Sequence, residues 1–207
     1  MRWLAEGDPE LAPSDDPARS TARVAELTGE GRSSWAPSQQ RTLDAIGRHG
    51  AAVASRTTAP AHLTASAVVV DPSRRRVLVL HHAKLRRWLQ PGGHADGDHE
   101  LAGVALREAR EETGISGLAV LLPAFDLDVH EVDHGDALGA HEHLDLRFLV
   151  AAPPGARERG NHESTELRWV DERELAELTD EARLLDAVRR GLALARVAPP
   201  PPRGWLS

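Results

Sequence analysis

The sequence predicts an α+β fold: one mixed β-sheet sandwiched between helices in α/β/α layers, with an N-terminal helical extension. Three observations predict it. Aliphatic and β-branched runs of strand length recur from residue 62 onward, helical periodicities separate and follow them, and no internal repeat imposes another architecture. Residues 1–17 are rich in Pro, Asp and Glu and are expected to be poorly ordered or loosely packed. Short helices are expected at 18–27 and 38–48, with Ser38 as N-cap of the second and Gly50 just past its end. Residues 63–70 and 76–82 read as two strands around the turn Asp71-Pro72-Ser73-Arg74. A helix follows at 98–113, with Asp98 as its N-cap and Glu100 in the favourable first turn. Further strands are expected at 118–132, interrupted by Pro123, at 141–150 and at 166–170. Helices at 171–178 and 180–196 precede an irregular tail, 199–207. This divides the chain into a partly helical extension (1–60), a main domain (61–198) and the tail.

Composition narrows the function. At about 100–200 residues per domain, the 207 residues make one domain with an appendage or two small ones. The absence of Cys removes disulfides, thiolate zinc sites and cysteine nucleophiles. A net charge of −7 argues against a general nucleic-acid binder. The apolar runs fall short of the about 20 residues needed to span a bilayer, and the acidic start is no signal peptide. The expectation is a cytoplasmic protein without a membrane partner. A homodimer is compatible with the sequence, the first sixty residues either capping the site or mediating pairing.

The segment with the most chemistry is Leu89-Gln90-Pro91-Gly92-Gly93-His94-Ala95-Asp96-Gly97-Asp98 and the helix after it. On a wheel of 3.6 residues per turn, Leu101, Val104 and Ala105 share a buried stripe that continues into Glu108, Glu111 and Glu112. Carboxylates at i, i+3 and i+4 repel one another, and partial burial adds a desolvation cost. A cation is therefore expected against that face, and hard oxygen donors favour Mg²⁺ or Mn²⁺. A solvated acidic patch balanced by Arg107 and Arg110 would give the same charge pattern. Gly114-Ile115 matches a left-handed helix stop, and Pro91-Gly92-Gly93 leaves main-chain groups open to a ligand.

Gly93-x5-His99-x7-Arg107-Glu108-Ala109-Arg110-Glu111-Glu112-Thr113-Gly114-Ile115 resembles the Nudix box of the Nudix hydrolase superfamily. Every fixed position matches except the first Glu, which is His99 here, with Glu100 one residue late. The resemblance extends more weakly over 62–178. It implies the Nudix fold and a Mg²⁺-dependent pyrophosphohydrolase, Mn²⁺ being a second option, acting on a nucleoside diphosphate linked to another group. Carried over, Glu108 and Glu112 are metal ligands, Glu111 is a third ligand or the group that activates water, and Gly93 offers its carbonyl. Arg107 would orient the glutamates, but its partner, the first Glu, is missing, so either His99 leaves it free or Glu100 reaches it. The same departure keeps open a degenerate module that binds a nucleotide or a partner protein without hydrolysis. Glu163, in a loop beyond the box, is the candidate base that the resemblance suggests. The isoprenoid isomerases of this fold rely on a cysteine, which this chain lacks.

A second signal lies in two later strands. Period-two alternation puts His141, His143, Asp145 and Arg147 on one face, and Asp126, Asp128 and His130 on another. If the strands pair, the two polar faces merge into one surface that contacts the substrate, His130 included, with histidine as phosphate donor or proton carrier. An ordinary solvent-facing sheet side is the bland alternative. The His141-x-His143 pair with Asp126, Asp128 or His130 could bind zinc, although no complete zinc spacing is met. The basic run His81, His82, Lys84, Arg86 and Arg87 precedes the Gly-Gly turn, where Arg87 would meet phosphate oxygens. Trp88 and Trp169 are assigned to the core.

Overall fold

The computed structural model describes residues 1–27, 32–132 and 139–201. Its sheet contains β1 (Arg2–Ala5), β2 (Ala61–Val70), β3 (Val77–His82), β4 (Trp88–Leu89), β5 (Gly92–His94), β6 (Ala119–Val132), β7 (His141–Ala151) and β8 (Ser164–Val170). The order is β1-β6-β7-β2-β3-β4, with β5 paired to β2 and β8 to β3. β2 and β7 run parallel and the other pairs are antiparallel. The helices are α1 (Pro17–Ala25), α2 (Arg32–His49), α3 (Leu101–Thr113), α4 (Glu172–Leu178) and α5 (Ala182–Val197). None is long and apolar enough to cross a membrane among the described residues.

Alternation along the central strands gives each face of the sheet its own core. Leu63, Ala65, Ala67 and Val69 of β2 join Leu144, Leu146, Phe148 and Val150 of β7 beneath α1, α2 and α3. Val68 and Val70 join Leu149 and Ala151 beneath α5 on the other side. The expected α/β/α layering is thus present. α5 lies so close over Val68 that a Cβ at Gly191 would come within 2.7 Å of its Cγ1. The rest of that second face carries His62, Thr64 and Ser66 by the same parity, and it borders an open cleft rather than a helix.

The chain start differs most from expectation. Instead of a loose leader, residues 2–5 form an edge strand in register with β6, from Arg2↔Leu122 to Ala5↔Ala119. Leu4 and Leu11 enter the first core and Trp3 the second. The indole of Trp3 donates to Pro199 O at 2.8 Å, and Glu6 accepts the Gly117 N–H at 2.7 Å. The Pro/Asp content that suggested looseness is used for caps: Asp8 and Asp16 accept N–H groups at the starts of the 3-10 helix Pro9–Leu11 and of α1, each followed by Pro.

Two helix starts also shift. α2 runs from Arg32 through Pro37 and Ser38, so Ser38 is interior, and its carbonyl accepts from Thr42 Oγ1. α3 begins at Leu101 with Glu100 as N-cap residue. Asp98 is occupied outside the helix, its Oδ1 accepting from Ser14 N at 3.1 Å and Glu100 N at 2.9 Å. The expected left-handed stop is present, Gly114 having φ 66°. The other expected strands and helices fall within two residues of expectation, in the range over which element ends vary, whereas the short β4 and β5 around the Pro91-Gly92-Gly93 turn were not expected. The middle of the loop expected between β6 and β7 (133–138) and the end of the tail (202–207) lie outside the described residues.

Candidate active site

The site is built where the sheet splits. β3 pairs with β2 only at Val69↔Leu78 and Val70↔Val77, then departs to pair with β4, while β8 follows its other edge throughout. The short β5 takes over against β2, placing Gly92 beside Ser66 and Gly93 beside Ala65. A cleft of about 360 Å³ opens along this divergence, and a second of about 530 Å³ adjoins it. Arg56, Glu108, Glu112 and Glu163 border both.

α3 delivers the carboxylates as the wheel predicted, but unequally. Glu112 is 5 % exposed, with Oε2 accepting the Gly92 N–H at 2.9 Å. Glu108 is half-buried against Gly93, where a Cβ would stand 2.5 Å from its Oε2. Glycine here lets strand and carboxylate approach. Glu111 is exposed and borders only the larger cleft. The balancing arginines are engaged elsewhere: Arg110 with Glu6 at 3.0 Å, and Arg107 with Asp98 at 3.3 Å as well as Glu108 at 3.4 Å. Burial, helped by Glu108, Glu163 and Glu111, overcomes the Gly92 N–H and pushes Glu112 up to about 8. Burial also raises Glu108, while Arg107 opposes it. A trio of poorly compensated carboxylates facing a cleft is chemically suited to a cation.

The residue that departs from the box lies outside this arrangement. His99 is fully buried, with Nδ1 2.8 Å from Ser20 Oγ of α1 and Nε2 3.2 Å from Ala51 O. Glu100 is equally buried and bound by Arg23, Nε to Oε1 at 2.8 Å and Nη2 to Oε2 at 3.1 Å, with Arg19 at 3.3 Å. Arg107 is therefore neither free nor paired with Glu100. Asp98 takes the partner's place.

Glu163 sits in the turn before β8 at the rim of both clefts. Its N–H donates to Asn161 Oδ1 at 2.8 Å, and Asn161 Nδ2 donates to Glu111 O at 3.3 Å, which ties the turn to the end of α3. Arg87, His130, His143 and Asp145 line the smaller cleft. His141 and Arg147 border neither. β6 and β7 do pair as expected, His130 opposite His143 and Asp128 opposite Asp145. Arg147 is buried beneath the cleft, bonded to Asp145 at 3.1 Å, Asp126 at 3.0 Å and Asp128 at 2.8 Å. Asp126 and Asp128 are held in this way, and among the described residues His141 and His143 assemble no metal-binding group with either of them or with His130. Trp88 is in the second core and Trp169 packs against the first.

Four contributors escaped the sequence reading. Arg56 reaches both clefts from the extension and is paired with Asp96, Nε to Oδ1 at 2.7 Å. Thr64 and Ser66 line the smaller cleft and donate to Asp145. His62 gathers beside His94 and His143. The available signal is the alternation His62-Leu63-Thr64-Ala65-Ser66-Ala67, polar on even positions, within a run otherwise aliphatic or β-branched.

The profile of the NUDIX domain matches residues 60–190, well over half the chain. The chain belongs to the NUDIX family. It is accordingly a hydrolase acting on pyrophosphate bonds. No curated protein matches it. Among solved structures it is similar to an Ap4A hydrolase of C. elegans in a binary complex, with 18 % identity, 66 % of this chain and 98 % of that one covered, and a TM-score of 0.57. It is also similar to a NUDIX-family hydrolase of Clostridium perfringens (19 %, 64 % and 97 %, TM-score 0.52). The E. coli dihydroneopterin triphosphate pyrophosphohydrolase gives 18 % identity, 63 % and 94 % coverage, and a TM-score of 0.51. These likenesses concern the fold.

Proposed function

We propose that the protein is a Mg²⁺-dependent pyrophosphohydrolase cleaving the P–O–P bridge of a nucleoside diphosphate linked to a second group, with Mn²⁺ able to replace Mg²⁺. Glu112 carries this reading: a nearly buried carboxylate beside two others, with a backbone N–H as its bonded partner and no arginine within ion-pair distance among the described residues. The donor set fits a hard dication, being oxygen only, and the Cβ-free approach at Gly93 leaves room against Glu108. Glu108, Glu111, Glu112 and the Gly93 carbonyl would hold it. Such an ion, when bound, neutralises charge on phosphoryl oxygens and acidifies water.

The chain's own groups supply the remaining chemistry. Glu163, exposed at the rim and tethered through Asn161, would accept the proton of the attacking water. Arg87 and Arg56 offer guanidinium donors to phosphate oxygens, and His130, His143 and Asp145 offer polar contacts to the rest of the substrate. Two adjoining clefts bordering one carboxylate trio suit a pyrophosphate with a group on either side. Two structural neighbours are named for Ap4A and dihydroneopterin triphosphate, molecules that share a phosphate chain. The reading carries with it a cytoplasmic setting, where a freely diffusing nucleotide is met.

The test is a phosphate-release screen over ADP-ribose, NADH, diadenosine polyphosphates, sugar nucleotides and nucleoside triphosphates with Mg²⁺ or Mn²⁺. We expect metal-dependent turnover of at least one diphosphate-linked nucleotide, lost in Glu112→Gln. Undiminished turnover by Glu112→Gln at saturating Mg²⁺ would remove the role given to that carboxylate.

A further inference from the structure

The smaller cleft has a second cluster of donors, and these are nitrogens. We propose that His62, His94 and His143 form a separate metal site for a borderline dication of the zinc type, beyond the carboxylate site for Mg²⁺. The three imidazoles come from β2, β5 and β7 and make a nearly equilateral group. Ring centroids are 5.1 Å apart for His62–His94, 5.0 Å for His62–His143 and 5.0 Å for His94–His143. One ring nitrogen from each lies within 4.8 Å of the others. His62 stands opposite His143 in the parallel β2–β7 register, and His94 is brought alongside by the pairing of Thr64 with His94.

His62 shows the orientation expected of a ligand. It is 0 % exposed, and its Nδ1 is 3.2 Å from Thr58 O. A carbonyl only accepts, so that contact puts the proton on Nδ1 and a lone pair on Nε2. Nε2 is buried and has no hydrogen-bond partner. Leaving such an atom unmet carries a desolvation penalty, whereas a metal ion would satisfy it. An imidazole whose other nitrogen donates to a backbone carbonyl is the usual arrangement behind a metal-bound histidine.

Closing the triad on an ion needs metal–nitrogen distances of about 2.0–2.1 Å. His94 and His143 are half-buried, and binding would turn their rings inward toward the buried His62. Both of the movable rings line the cleft, so a fourth coordination position would face its open space. An all-imidazole set selects zinc-type ions over Mg²⁺, and an all-oxygen set the reverse. The two sites would therefore not compete for one metal.

The probe is Co²⁺, which reports its coordination by visible absorption. Full-length protein stripped with EDTA is titrated with Co²⁺, then back-titrated with Zn²⁺, in parallel with His62→Gln, His94→Gln and Glu112→Gln. Circular dichroism confirms the fold of each variant. His94→Gln, at a half-buried position, keeps the test open should the buried His62 variant fail to fold. We expect one Co²⁺ per chain with intense low-coordinate bands, displaced by Zn²⁺. The bands should persist in Glu112→Gln. Zn²⁺ affinity should fall by more than about 100-fold on loss of a histidine, because even an outer-shell partner is worth about 10–100-fold. Wild-type protein without these bands overturns the proposal. So do bands that survive in a folded histidine variant, or that vanish in a folded Glu112→Gln.

Discussion

Glu108, Glu111 and Glu112 at the end of α3, and Asp126, Asp128 and Asp145 on β6 and β7, are two groups of three carboxylates that the fold treats differently. The aspartates surround Arg147, and Arg190 adds a contact to Asp126 at 3.2 Å. Burial pushes Asp128 upward, yet the hydrogen bond with His130 and the charge of Arg147 hold it below its ordinary value. The glutamates receive one marginal arginine contact, at Glu108, and both Glu108 and Glu112 are raised. Similar acidity thus has two outcomes. Where the chain supplies its own cations, an acidic cluster is architecture; where it withholds them, the cluster is left suited to an outside cation, as proposed for Glu108, Glu111 and Glu112.

That contrast can be broken most severely at Glu112. Glu112→Gln should lower turnover by about 10²–10⁴-fold, with no loss of melting temperature and, in metal-free protein near neutral pH, a gain, because the cost of the raised carboxylate is removed. Kinetics and calorimetry on the same sample check both halves. A variant that instead unfolds would make Glu112 resemble the aspartates.

Arg147→Ala should do the opposite. Removing the shared partner of buried Asp126 and Asp145 and half-buried Asp128 costs about 3–5 kcal/mol of stability, read from urea unfolding. Its effect on activity should follow only from the loss of folded protein.

Restoring the missing box residue gives a third test. His99→Glu would set a carboxylate against Ala51 O in a fully buried position. It should destabilise the fold by several kcal/mol, at about the cost of an unpaired buried ion, without raising turnover. A gain in turnover would mean that Asp98 serves Arg107 poorly.

The smallest expected effect is on pH dependence. Burial lowers His143 to about 2, with the neighbouring histidines adding to it, and burial lowers His62 and His82 as well. These rings bind fewer protons folded than unfolded, so they make stability rise with pH up to about 6.5. Glu112, near 8 when folded and 4.5 otherwise, binds more protons folded and makes stability fall from about pH 4.5 to 8. Above about 6.5 only the second effect remains. Metal-free protein should therefore lose melting temperature between pH 6.5 and 8, and Mg²⁺ should restore it. A flat profile would place Glu112 among the compensated carboxylates.

Local signals told most of this story in advance. The glutamate stripe, the Gly114 stop and the alternation in β7 are each written within a few residues, and each is found in the structure. The failures involve partners far apart in sequence. Nothing near Arg2 announces Leu122, and nothing near Glu100 announces Arg23. Asp98 read as a helix cap because its use by Ser14 depends on a segment expected to be loose. The histidine triad was invisible for the same reason: its members are single residues on three strands, brought together by register rather than by spacing.

The bond between Arg23 and Glu100 bears on how this protein should be handled. A recombinant chain begun at residue 60, where the family match starts, would lack Arg19, Ser20, Arg23 and the edge strand. Glu100 and His99 would then lose their partners in the floor of a newly bared apolar surface. Shortened forms of this kind are expected to precipitate, and inactivity measured on them would say nothing about catalysis.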